Sequence, residues 1–292
     1  MIRALFVICM LLAGCASGGN PHGVSERILD TRTADFISRN DFMRRAASTP
    51  FVILGEVHDN AWHHRLQAEL LESMLAAGRR PAIAMEQFDR ENQAALDAAR
   101  ARGKRDPERL ADAGKFDRLG WRWQDYEPIV RMAAANDLLL LAANFSRADA
   151  RALMKSGAPA SGVAPAGSAQ RAALEKDIVD GHCGIRPPAA MLSGMVEAQR
   201  ARDARMAEVL GLAQGTGAVL IAGAGHARLD RGVPSYMPPE LKEQLLSVGL
   251  VEVNPDGTLP VVDYRGIYDL VWFTPRAARE DPCLNLKMQG AR

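Results

Sequence analysis

Charge of one sign is largely missing from this chain: 36 Lys and Arg face 35 Asp and Glu, a formal net charge of +1. That leaves no electrostatic case for a nucleic-acid partner. No Gly-x-Ser-x-Gly elbow and no Gly-x-x-x-x-Gly-Lys phosphate loop occurs, which removes two common enzyme classes. No Cys-x-x-Cys or His-Glu-x-x-His pattern specifies a metal, although His182 and Cys183 stand side by side. A tandem repeat of fixed period is absent too, so the 292 residues read as one large domain or a main domain with a helical annex.

Long apolar runs are also lacking. The longest near the start, Ala4 to Leu12, follows Met1-Ile2-Arg3 and is too short to span a bilayer as a mature helix. With Ala13-Gly14-Cys15 it forms a signal peptide, residues 1–14, and Leu12-Ala13-Gly14-Cys15 has the form of a bacterial lipobox, in which Cys15 is lipidated. Ala16 in place of Asp resembles outer-membrane sorting in Gram-negative bacteria, and a lipid anchor of this kind holds a domain on the periplasmic face. Residues 15–30 then read as a lipidated tether. Of four cysteines, Cys9 leaves with the signal and Cys15 carries lipid. Cys183 and Cys283 remain, either bridged in an oxidising compartment or both reduced.

What is present is an alternation. Apolar runs at Pro50–Leu54, Pro81–Glu86, Leu138–Asn144, Ala218–Gly223, Gly249–Val253 and Tyr268–Phe273 read as strands. Helical spacing begins near Asp35, and the leucines of His63–Ala77 repeat at helical intervals up to Gly78. Residues 90–115 and 171–211 are helical in character, the latter broken by Gly181-His182-Cys183-Gly184 and Pro187-Pro188, while 155–170 is a Gly/Ala/Pro/Ser loop. Strands alternating with helices predict an α/β domain, a largely parallel sheet flanked by helices, over 31–275. Helical insertions at about 90–125 and 150–211 supply a smaller all-helical subdomain, and 276–292 is a C-terminal tail.

Two of the strands end in the same device, Gly55-Glu56-Val57-His58 and Gly223-Ala224-Gly225-His226, the histidines 168 positions apart. Ligands gather outside the carboxyl ends of parallel strands, so the two imidazoles are predicted to converge there. Glu86 ends a third strand and reads as a general base or metal ligand, against the ordinary alternative of an arginine salt bridge. His63 and His64 open the next helix, in a site role or as ordinary polar residues. Asn144 holds a matching strand-end position, as a ligand-orienting group or a helix cap with Ser146. Arg202 and Asp203 lie on a charged helix that is a solvated face unless its place before the second turn brings it to the site.

Leu54-to-His64 (LGEVHDNAWHH), Ala84-to-Phe88 (AMEQF), Ala142-to-Asn144 (AAN), His182-to-Gly184 (HCG), Gln199-to-Ala207 (QRARDARMA) and Ala222-to-Pro234 (AGAGHARLDRGVP) together resemble the ChaN-like haem-binding uptake lipoproteins. The blocks lie in order over about 180 residues. The resemblance implies haem as cofactor, bound at or near a homodimer interface with tyrosine on the iron, and an outer-membrane haem or iron receptor as partner. The tyrosines are Tyr126, Tyr236, Tyr264 and Tyr268, none between 127 and 235; a ligand placed in the helical insertion would therefore pass to a histidine such as His182. The wider superfamily is similar to erythromycin esterases and Tiki/TraB proteins, and carries over His58, Glu86 and His226, supported by Glu56 and Arg202, as a hydrolytic or divalent-metal site.

Overall fold

Every residue of the run Phe51–Glu56, and every residue of Ala218–Gly223, is buried, as strands covered on both faces must be. The computed structural model describes residues 27–103, 105–281 and 283. An edge hairpin comes first, β1 (Arg27–Asp30) and β2 (Asp35–Ile37), then α1 (Arg39–Ser48), β3 (Phe51–Glu56), α2 (Ala61–Ala76) and β4 (Ala82–Asp89). Helices α3 (Gln93–Ala101), α4 (Pro107–Ala113) and α5 (Trp123–Ala135) lead to β5 (Leu140–Asn144), and α6 (Arg147–Ser156), α7 (Ser168–Gly181) and α8 (Ala189–Leu212) to β6 (Ala218–Gly223). The chain closes through the short α9 (Ala224–Ala227) and α10 (Pro239–Lys242) to β7 (Leu245–Glu252) and β8 (Leu270–Thr274).

The eight strands lie in the order β2-β1-β8-β7-β3-β6-β4-β5. The ladders from β8 to β5 are parallel, and β1 runs antiparallel to both of its neighbours. The expected α/β class is therefore what the chain adopts. One face of the sheet packs on α1, α2 and α5 through Phe42, Leu70, Leu71, Met74, Ile129 and Val130. The other receives Met206, Ala207, Val209 and Leu210 from the C-terminal half of α8. The N-terminal half of α8 packs with α7 around a separate small core of Leu174, Ile178, Leu192 and Val196, the all-helical annex.

Several boundaries differ from the sequence reading. The tether ends sooner than residue 30, because Arg27–Asp30 pairs with β8, and Asp35–Ile37 is a strand rather than the start of a helix. Four- and three-residue strands are too short to show a period, and their pairing is set by β8, far along the chain. Asn144 does not cap the following helix. Its Nδ2 donates to Asp89 Oδ1 at 3.0 Å, tying β5 to β4, while Ser146 caps α6 by accepting from the Asp149 N–H. Cys183 and Cys283 are bonded, their Cα atoms 5.5 Å apart, closing a span of 100 residues. A closed loop of that length removes about 4.7 kcal/mol of unfolded-state entropy in the chain-entropy account. Cys15 lies outside the described residues, among which no helix is long and apolar enough to cross a membrane.

Candidate functional site

Parallel pairing of β3 with β6 sets Gly55 beside Ala222 and Glu56 beside Gly223, so both Gly-x-x-His turns leave the sheet at one level. Both glycines sit in close quarters, Gly55 more tightly than Gly223. A Cβ on Gly55 would lie 2.7 Å from the Ala227 Cβ, and one on Gly223 would lie 3.0 Å from His58 Nε2. Strand β4 flanks β6 on its other side and delivers Glu86, whose Oε2 accepts from the Gly223 N–H at 2.8 Å. Glu86 Oε1 lies 3.4 Å from His226 Nε2, and His226 Nδ1–H donates to Asp203 Oδ1 at 2.6 Å. The predicted convergence of His58, Glu86 and His226 is thus present around the Gly223 corner.

His58 is held differently. Its Nδ1–H donates to Glu56 Oε1 at 2.9 Å, its ring stands edge-on to Trp121, and 43% of its side chain is exposed. Glu56 is fully enclosed and also accepts from Gln67 Nε2 (2.6 Å), Tyr126 Oη and Gln87 Nε2 (3.4 Å). His63 and His64 are both buried. His63 Nδ1 accepts from the Val57 N–H and its Nε2–H donates to Thr274 Oγ1, while His64 Nε2–H donates to the His58 carbonyl. These two histidines brace the turn, and His64 Nδ1 also lies 3.4 Å from Glu56 Oε2.

Burial works against every charge here, and the partners decide the outcome. Burial lowers His226, but Glu86 and Asp203 outweigh it and hold the imidazole up at about 10, so it is a cation at neutral pH. Glu86, pushed up by burial, is brought well below the ordinary carboxylate range by His226, His58 and the Gly223 N–H. Burial also raises Asp203, with the charge of Glu86 adding to it. His226 is thus flanked by two carboxylates, Asp203 at 2.6 Å and Glu86 at 3.4 Å. His58 is raised, Glu56 and Glu86 overcoming its desolvation. Burial, with the charges of His64 and Arg279 adding to it, takes His63 down to about 3 against the opposing charges of Glu56 and Glu252, so it is neutral at pH 7.

His226 and Asp203 form one wall of a cleft of about 470 Å³ between the helical annex and the β6 turn. Met154, Leu174, Ile178 and Met195 give it apolar sides, and His182, Gln199, Arg202, Arg228, Arg231 and Tyr268 give it polar ones. Met195, Gln199 and Arg202 share a face of α8 by four- and three-residue spacing. Arg228 pairs with Asp230 at 2.9 Å and Arg231 with Asp177 at 2.6 Å. Arg202 donates to Gln199, with no carboxylate in ion-pair range among the described residues. Asp177 lines the cleft too, so its volume and mixture of lining groups suit one medium-sized, largely apolar ligand with polar ends.

Residues 42–237 match the sequence profile of the family described as "Haem-binding uptake, Tiki superfamily, ChaN". The chain belongs to the ChaN family. No curated protein sequence matches it. Among solved structures it is similar to ChaN of Campylobacter jejuni, with which haem binds cofacially: 25% identity over 85% of this chain and 96% of that one, TM-score 0.70. More distant similarities are to the type III effector HopBA1 at 15% identity (88% and 100% covered, TM-score 0.45) and to an open-form erythromycin esterase mutant, EreC, at 12% (91% and 87% covered, TM-score 0.42).

Within this ChaN family chain the tyrosines part company. Tyr126 is sealed in the core with its hydroxyl on Glu56, and Tyr264 packs between Tyr268 and Phe273, so neither reaches the cleft. Tyr236 is half-buried outside the cleft lining, 3.5 Å from Gln170 Nε2. Tyr268 does line the cleft, but its Oη–H donates to the Ala224 carbonyl at 3.1 Å and burial pushes the phenol up to about 12. The expected divalent-metal centre at His58, Glu86 and His226 is not supported: no three His, Cys, Asp or Glu side chains among the described residues are grouped to hold one ion. The reason is chemical, since both Glu86 oxygens and both His226 nitrogens already face partners. Glu56 is an orienting group beneath His58, and Arg202 belongs to the cleft instead of the histidine network. Sequence reasoning passed over Arg228, Arg231 and Met195; the only signal for Met195 was its helical spacing to Gln199 and Arg202.

Proposed function

We propose that this protein binds haem in the cleft between the annex and the β6 turn and serves haem or iron uptake. The observation that carries this reading is the lining itself: apolar walls of Met154, Leu174, Ile178 and Met195 beside Arg202, whose guanidinium forms no ion pair among the described residues. A porphyrin needs apolar faces, and its propionates need cations. Family membership and the likeness to Campylobacter jejuni ChaN support it. In this proposal Cys15 carries lipid that anchors the protein to the periplasmic face of the outer membrane, where a receptor supplies haem. In this proposal the protein forms a homodimer, for which the exposed apolar residues Ile185 (56% exposed) and Met191 (51%) near the start of α8 offer contact surface. Ferric hemin added to the purified chain is expected to give a saturable, red-shifted Soret band, weakened in Arg202→Glu. Superimposable spectra with and without protein overturn the reading.

A second reading rests on His58. An exposed imidazole whose Nδ1–H is fixed by a buried carboxylate is the arrangement of a general base, with Nε2 free to take a proton from water and Glu56 stabilising the imidazolium. Ester or peptide hydrolysis lost in His58→Ala at unchanged fold supports it; an inert wild type discards it.

A further inference from the structure

We propose that His182 Nε2 is this chain's ligand to haem iron, an inference that rests on the haem reading of the cleft. His182 closes α7 and lines the cleft, and its Nδ1 lies 2.6 Å from the Ile178 carbonyl oxygen. A carbonyl only accepts, so the proton sits on Nδ1 and the lone pair on Nε2. That is the tautomer a metal-binding imidazole adopts when its second nitrogen is tied to the backbone.

The turn that carries it is fixed twice over. The N–H groups of His182, Cys183 and Gly184 donate to Ile178, Asp180 and Val179, and Cys183 is bonded to Cys283. Among the nitrogen and oxygen donors of the cleft, His226 has a carboxylate at each ring nitrogen and the Tyr268 hydroxyl donates to Ala224, while the thioethers of Met154 and Met195 are soft ligands that suit ferric iron less well than an imidazole. Ile178, which orients the imidazole, also lines the apolar side, so the ligand and a wall for the porphyrin come from one turn of helix. Coordination through a lone pair displaces no proton.

The test is hemin titration of the purified full chain, followed by the Soret band and by EPR of the reduced nitrosyl complex. The wild type is expected to show imidazole-nitrogen hyperfine structure. His182→Ala should lose that structure and bind hemin at least about tenfold more weakly, since even outer partners of metal ligands are worth that much. Free imidazole should restore the wild-type spectrum, and His182→Tyr should replace it with a tyrosinate charge-transfer band. Tyr236→Phe, outside the cleft, should leave the signature unchanged. Retention of the wild-type spectrum in either His182 variant overturns the assignment, and so does a loss in His182→Ala that imidazole does not restore. If the wild type itself fails to bind hemin, the haem reading falls and takes this inference with it.

Discussion

The two Gly-x-x-His turns start from the same register of the same sheet and end in opposite environments. After β3 the carboxylate is buried and the imidazole is left 43% exposed; after β6 the imidazole is buried between two carboxylates supplied by other elements. His58 therefore depends on one neighbour two residues away, whereas His226 depends on Glu86 and Asp203, brought from β4 and α8. The difference separates their roles: His58 is accessible and replaceable in the fold, and His226 is a fixed cation that joins the annex to the sheet.

Removing each imidazole in turn breaks the comparison most sharply. His226→Ala leaves buried Asp203 and Glu86 facing each other, and loss of one partner of a buried pair costs about 3–5 kcal/mol. Chemical denaturation should register that loss. His58→Ala should cost no more than about 1.5 kcal/mol, one hydrogen bond, since Gln67, Tyr126 and Gln87 still satisfy Glu56. Equal losses at the two positions would erase the distinction. Gly223→Ala, whose new methyl meets His58 Nε2 at 3.0 Å, should cost about 1 kcal/mol and displace His58, visible as a shift of its imidazole NMR signals.

The pH profile sharpens the contrast further. His226 is raised in the fold, so its contribution is complete below its free value of 6.5 and is lost as pH rises towards about 10. His63 is lowered to about 3, so the unfolded chain takes up its proton first and stability falls as pH drops below 6.5. Glu86, depressed from 4.5, adds a further loss below that value. Thermal melts should be highest near neutral pH, and His226→Gln should flatten the alkaline limb and shrink the Glu86 part of the acid limb, leaving the part due to His63. An unchanged alkaline limb would contradict the charge assigned to His226.

The interior strands were legible because burial on both faces makes them apolar throughout, as in Val52-Ile53-Leu54 and Val219-Leu220-Ile221. The convergence of His58, Glu86 and His226 was legible for a related reason: strand ends in a parallel sheet share one edge. The fate of Tyr126 was not, because the phase of α5 against Glu56 is fixed by packing between segments 70 residues apart. Nor was the cleft, which arises only when α7 and α8 fold across the β6 turn and bring His182 near His226.

The measurement that bears most directly on the central claim is the position of iron in crystals grown with hemin, read from anomalous scattering at the iron edge. The account predicts a peak inside the cleft bounded by α7, α8 and the Gly223–His226 turn. Iron found elsewhere on the molecule, with that cleft empty, would contradict it.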